Sequence, residues 1–263
     1  MTQINIAFGA TEEWLRYTYV TICSILANAN EKDDYKFYIM CDSVDINFDP
    51  MVKCFEKIKH AEYKFIKMDN SEFEGAIHDW LGVSSSYRLK LPSIIDDDKV
   101  LYLDSDIIVL SDIAELYNHN IDDYYIAAVE DKCSHFMRER VNLKEGETFI
   151  NGGVQLMNLK KFREDNLEEI IFNKLRESDF YTDQDVINDV CRSKILQLPL
   201  KFNLMPIENP GHYVNRRKEF EETLEAPVVI HYTDKPWRSE VKYGECWFFY
   251  ASALSKILNS IDT

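Results

Sequence analysis

Short apolar runs separated by charged turns dominate the first part of the chain. Ile4-Asn5-Ile6-Ala7-Phe8 predicts a buried strand that ends at Gly9. Residues 11–30 follow, with Trp14, Val20, Ile22, Ile25 and Leu26 at mostly helical spacing, which predicts a helix. Residues 37–40 predict a second strand, 49–59 a helix and 63–68 a third strand. Such alternation implies a mostly parallel sheet with right-handed crossovers, and a binding crevice beyond the strand C-termini. Thr11 sits just past one such terminus.

The run KVLYLDSDIIVL at residues 99–110 is the most informative stretch. Its length and β-branched content suit a strand covered on both faces, yet Asp104-Ser105-Asp106 interrupts it. Buried carboxylates are costly unless a cation or metal pairs with them. Two of them at i and i+2 of an extended chain point the same way, so one hard divalent ion could bridge both to the phosphates of a ligand. The competing reading is a strand ending in a solvated Asp turn, and the twelve residues alone leave the two even.

Other segments carry weaker signals. Residues 84–95 predict a serine-capped helix, with Tyr87, Arg88, Leu91 and Ile95 three or four apart and Pro92 early in it or kinking it. A lone Arg such as Arg88 is more often a surface or salt-bridging residue than a ligand clamp. Residues 126–129 predict a strand ending in Glu130-Asp131. In Phe149-Ile150-Asn151-Gly152-Gly153-Val154, adjacent glycines in an apolar run mean either a bulge with close backbone approach or a hairpin turn. Tyr181-Thr182-Asp183-Gln184-Asp185 opens a helix, with Thr182 or Asp183 as cap, and capping alone explains the acidic residues there. Residues 228–232 predict a last strand with His231 at its end, a position more often structural than ligating. Thr233-Asp234-Lys235-Pro236-Trp237 comes next, and 247–261 predict an amphipathic helix.

Several phosphate and metal devices are excluded. There is no G-x-x-x-x-G-K-[ST], no G-x-G-x-x-G after the first strand, and no EF-hand counted from Asp104. With 263 residues, 46% of them apolar, the chain can bury a sizeable core as one large domain or two intimate halves. The formal net charge of −16 argues against nucleic acid and against docking on an anionic membrane. An enzyme of anionic phosphates with this charge needs a local positive device. The six cysteines form no C-x-x-C pair, so reduced thiols in a cytoplasm are expected. No signal peptide is evident, and no window approaches the roughly 18 apolar residues a spanning helix requires.

Taken in order, INIAFGA, YRLKLP, KVLYLDSDIIVLSDI, FINGGVQLMNLKKFR, TDQDVIN, KFNLMP and IHYTDKPW resemble glycosyltransferase family 8 across nearly the whole chain. This family comprises retaining nucleotide-sugar enzymes, including bacterial lipopolysaccharide α-galactosyl- and α-glucosyltransferases and glycogenin. The resemblance implies an α/β fold of GT-A type, a Rossmann-like mixed sheet flanked by helices. It implies one catalytic domain over 1–263, with a nucleotide-binding half near 1–115 and an acceptor-side half at 116–263. Asp104, Asp106 and His231 match ligands of a divalent ion, usually Mn²⁺ with Mg²⁺ as an alternative, and Lys235 matches the lysine on the donor phosphates. Arg88, Asp131, Asn151, Gly152, Asp183 and Gln184 match donor-sugar contacts. Ala7, Gly9, Thr11 and Ser105 are assigned to the nucleotide side of the same site. Thr11-Glu12-Glu13 stands where relatives often carry Asp and Asn that contact uracil and ribose.

The implied activity is transfer of galactose or glucose from a UDP-sugar to a saccharide or glycolipid acceptor, forming an α-linkage in cell-surface polysaccharide or lipopolysaccharide synthesis. A non-catalytic or hydrolytic UDP-sugar-binding protein is the alternative. Gln184 matches a residue beside the anomeric carbon, and Asp183 is a second candidate at the reacting centre. The basic aromatic tail that holds some relatives to membranes has no counterpart before Thr263.

Overall fold

The computed structural model describes residues 2–42, 60–77, 82–132, 137–178, 181–206, 213 and 216–259. The predicted helix at 49–59 lies outside them. Among the described residues a seven-stranded sheet has the order β3-β2-β1-β4-β7-β6-β8, and a small second sheet pairs β5 with β9. The strands are β1 (Gln3–Gly9), β2 (Asp34–Cys41), β3 (Ala61–Lys67), β4 (Lys99–Leu103), β5 (Ile107–Val109), β6 (Ile126–Glu130), β7 (Ile150–Asn158), β8 (Ile195–Gln197) and β9 (Val229–His231). β1, β2, β3 and β4 run parallel, but β7 lies antiparallel to both β4 and β6. The sheet is therefore mixed but mostly parallel, β7 alone running against its other strands.

The period-2 alternation of β1 divides the interior. Ile4, Ile6 and Phe8 face a core with helix α1 (Glu12–Ala27) and the C-terminal helix, whereas Ala7 faces a second core. That second core is closed by Ile171 and Leu175 from 167–177 and by Val186 and Ile187 from 183–191. Besides single α turns at Leu91–Ile94 and Ala114–Tyr117, the described residues form α2 (Leu159–Glu164), α3 (Leu167–Glu177), α4 (Asp183–Cys191), α5 (Arg217–Glu225) and α6 (Gly244–Asn259). None is long and apolar enough to cross a membrane.

The stretch at 99–110 is two strands in two sheets, not one strand. β4 belongs to the large sheet and β5 pairs with β9, so Asp104-Ser105-Asp106 forms the turn between them. A polar stripe on α1 holds this turn. Thr18 Oγ1 lies 2.7 Å from Ser105 Oγ, and Thr21 Oγ1 reaches the carbonyls of Ser105 (3.1 Å) and Ile107 (2.7 Å). Ser24 Oγ accepts from the Val109 N–H at 3.0 Å, and Asn28 Nδ2 donates to the Val109 carbonyl at 3.1 Å. Residues 18, 21, 24 and 28 recur at three- and four-residue spacing, so they share one helix face. That face serves β5 as a hydrogen-bonding neighbour opposite β9.

The segment at 84–95 is a 3₁₀ helix, Val83–Lys90, followed by one α turn, Leu91–Ile94, with Pro92 in its second position. The helix predicted at 247–261 begins three residues earlier, at Gly244. Thr182 caps α4 through a reciprocal capping box with Asp185, whose carboxylate also takes Arg140 at 2.6 Å.

Candidate active site

The C-termini of β1 and β4, the start of β7, the N-terminus of α4 and the end of β9 meet at one place. Asp104, Asp106 and His231 converge there, with one donor atom from each within 4.8 Å of the others. His231 Nε2 is 3.3 Å from Asp106 Oδ1 and 3.8 Å from Asp104 Oδ2. His231 arrives because β9 pairs with β5 in a register that sets it opposite Ile107, one residue after Asp106. Its solvent-remote nitrogen, Nδ1, is 3.1 Å from the Asn203 side-chain oxygen, which leaves Nε2 for the carboxylates. Two carboxylates and an oriented imidazole form an oxygen/oxygen/nitrogen donor set that fits a divalent metal. Asp104 is the open member, its side chain 27% exposed against 8% for Asp106, so a ligand would approach on its side.

Lys235 donates to Asp106 and to the Tyr232 carbonyl (2.8 Å). Burial alone would raise the Asp106 pKa, but the adjacent His231 and Lys235 hold it well below the usual carboxylate range. The loop bearing Lys235 is anchored by Trp237, whose ring stacks on Tyr17 at 3.9 Å and packs against Trp247 at 5.0 Å.

Arg88 forms the opposite wall. Its guanidinium is buried, donates to the Gly152 carbonyl at 2.6 Å, ion-pairs with Asp183 and lies 3.6 Å from Asp104. Burial works against its charge, but Asp183 and Asp104 outweigh that and push its pKa further up. Arg88 is thus a salt-bridging residue that also lines the site. The strand β7 is continuous through the glycines, so no hairpin turn occurs there, and the register shift falls opposite, between Ala128 and Glu130. A Cβ on Gly152 would sit 2.8 Å from the Arg88 guanidinium, and one on Gly153 would sit 2.8 Å from Asp104 Oδ2 and strike the His231 ring. Both glycines are required by close approach of site side chains.

Gln184 accepts from the Gly152 N–H at 2.7 Å and directs its amide nitrogen at Asp131 Oδ2, 3.3 Å away. Asn151 donates to the same Asp131 oxygen at 2.9 Å. Capping therefore accounts for Asp185 but not for Asp183, which turns to Arg88. Of the nucleotide-side residues, Ser105 points at α1, Gly9 packs where a Cβ would collide with the Ser84 carbonyl, and Thr11 precedes α1. Ala7 is wholly buried in the core beneath. His78 and Trp80 lie outside the described residues. Asn203 was not singled out from sequence, although it stands in the KFNLMP stretch that the resemblance quotes.

The family model of Glycosyl transferase family 8 matches residues 5–241. The chain belongs to this family. Similar proteins include General stress protein A of Bacillus subtilis (strain 168), 26% identical over 95% of this chain and 93% of that protein. A lipopolysaccharide 1,2-glucosyltransferase of Escherichia coli is 25% identical over 93% of this chain and 76% of its own length. Among solved structures, the galactosyltransferase LgtC, in complex with donor and acceptor sugar analogues, superposes with a TM-score of 0.80 at 23% identity, covering 96% of each chain. That likeness concerns the fold, which is of the GT-A type, a mixed sheet flanked by helices. The chain is accordingly a family-8 glycosyltransferase, and a nucleotide-sugar donor and a saccharide acceptor follow from that membership.

Proposed function

We propose that this glycosyltransferase is a metal-dependent, retaining hexosyltransferase that moves galactose or glucose from a UDP-sugar to a saccharide or glycolipid acceptor, forming an α-linkage. The observation that carries the reading is the convergence of Asp104, Asp106 and His231, remote in sequence, on one point beside Lys235. In this reading those three residues hold Mn²⁺, or Mg²⁺ in its place, and one catalytic domain spans 1–263. When bound, the ion supplies Lewis-acid neutralisation of charge on the departing diphosphate. Lys235 adds a second positive charge on the leaving-group side, which matters in a chain of net charge −16.

On the sugar side, Arg88, Asp131, Asn151, Gly152 and Asp183 orient the hexose hydroxyls. Gln184 is neutral, and its carbonyl oxygen already accepts from the Gly152 N–H, so it positions the reacting carbon instead of attacking it. Asp183 is neutralised by a buried guanidinium, which lowers its nucleophilicity. Both features favour front-face transfer, in which a donor phosphate oxygen takes the acceptor proton, over a covalent glycosyl-enzyme. The nature of the lipopolysaccharide glucosyltransferase relative supports a role in cell-surface polysaccharide or lipopolysaccharide synthesis. Its site would be the cytoplasm, where thiols such as the buried, free Cys23 and Cys191 stay reduced.

A panel of UDP-galactose, UDP-glucose and UDP-N-acetylglucosamine, scored by UDP release, tests this. Release from one of the first two should require Mn²⁺, stop in EDTA, and fall at least ~10²-fold in Asp104→Ala. Full activity of Asp104→Ala in excess EDTA would refute the metal assignment. UDP release that no saccharide acceptor accelerates would favour a hydrolytic protein.

A further inference from the structure

Asn203 has no exposed surface, and both ends of its amide bond to residues of the site. Its nitrogen donates to Asn151 Oδ1 at 2.9 Å, and its oxygen lies 3.1 Å from His231 Nδ1. Hydrogen bonds to backbone place it there: the Leu204 N–H donates to the Val229 carbonyl at 2.8 Å and the His231 N–H to the Leu204 carbonyl at 2.9 Å. Residues 203–204 are thereby laid alongside β9.

The direction of every bond in this chain follows from one end that has no freedom. The Gly153 backbone N–H can only donate, and it does so to Asn151 Oδ1 at 2.9 Å. Asn151 must therefore present its nitrogen to Asp131 Oδ2, which accepts it at 2.9 Å. Asn203 must then present its nitrogen to Asn151 Oδ1 and its oxygen to His231. An amide oxygen accepts only, so Nδ1 carries a proton, and Nε2 is the nitrogen left to face Asp104 and Asp106.

We propose that Asn203 is a positioning residue that sets the tautomer of His231 and ties that imidazole to the Asn151–Asp131–Gln184 wall. This rests on the cation reading of Asp104, Asp106 and His231. An outer partner of a metal-binding histidine fixes ring orientation and raises basicity, and its loss typically costs about 10- to 100-fold in metal affinity. Here the same residue has a second job, because Asn151 and Gln184 share the Asp131 oxygen. A disturbance at Asn203 should reach the sugar-facing wall as well as the metal.

Two substitutions separate the two jobs. Asn203→Leu keeps the branching at Cγ and removes both bonds; Asn203→Asp keeps an acceptor for His231 but removes the donor to Asn151. Mn²⁺ binding is read by the loss of the free-ion EPR signal, and folding by thermal unfolding. Asn203→Leu should bind Mn²⁺ about 10- to 100-fold more weakly than the wild type. Asn203→Asp should recover most of that affinity while its KM for the UDP-sugar stays raised. Nitrogen-15 NMR of the wild-type imidazole should find a proton on Nδ1.

A folded Asn203→Leu with wild-type Mn²⁺ affinity would overturn the inference. So would an Asn203→Asp as weak as Asn203→Leu, or a wild-type imidazole with no proton on Nδ1; the last needs no variant. Asp104→Ala separates the two levels. If it binds Mn²⁺ as the wild type does, the cation reading itself fails; if it alone loses the ion, the reading stands and Asn203 is dismissed.

Discussion

Gly153 shows how one missing side chain can decide a site. Its backbone carries β7 past Asp104 and His231 with no room for a Cβ. Gly153→Ala should displace the imidazole or the carboxylate and lower kcat/KM by at least ~10²-fold. Thermal unfolding should change far less than in a core truncation, because the clash falls on the Asp104 carboxylate and the His231 ring and removes no apolar packing. Steady-state kinetics beside a melting curve checks both; near wild-type activity would show that the ring and carboxylate can shift harmlessly. At this scale the candidate residues were legible only in part. Asp104 and Asp106 stood out, since acids inside an apolar run demand partners, but those twelve residues alone fitted a solvated turn equally well. His231 and Arg88 read as ordinary structural residues until the order of motifs was considered. Asn203 stayed hidden because an Asn in a loop has many uses, and its two partners lie 28 and 52 positions away.

Between residue and fold stands α1. Its apolar positions announced a helix, but its polar stripe carried the less expected information. Thr18, Thr21, Ser24 and Asn28 occupy buried or half-buried positions and hold the aspartate turn and β5. Thr21→Val preserves shape and removes the donor to the Ser105 and Ile107 carbonyls. It should cost about 1–3 kcal/mol in urea unfolding, the range for leaving buried acceptors unmet. A change below ~0.5 kcal/mol would mean that this stripe is not a structural support. The division of 99–110 into two strands was invisible in sequence for the same reason. β5 takes its partners from α1 and from β9, and nothing local says that the chain changes sheets at Asp104. The 3₁₀ form of Val83–Lys90 was likewise masked, since apolar residues three or four apart fit either helix type.

For the molecule as a whole, an acidic chain must attract an anionic donor. The charges that could do so are local: Lys235 on one side of the aspartates and Arg88 on the other, with a divalent ion between them in the proposed reading. The sheet supplies the place. β1 and β4 run parallel and β7 reverses direction beside them, so Thr11, the aspartate turn and the glycines gather at one end. The α/β class followed from strand–helix alternation alone, and the candidate metal ligands do cluster past a strand C-terminus, that of β4. The reversal at β7 did not, because antiparallel pairing depends on contacts across the chain.

The most direct test is anomalous X-ray diffraction from crystals grown with Mn²⁺ and UDP. The account predicts one manganese peak within bonding distance of carboxylate oxygens of Asp104 and Asp106 and of His231 Nε2, with diphosphate oxygens completing its coordination. A peak elsewhere, or a diphosphate bound with no metal between those three side chains, would contradict it.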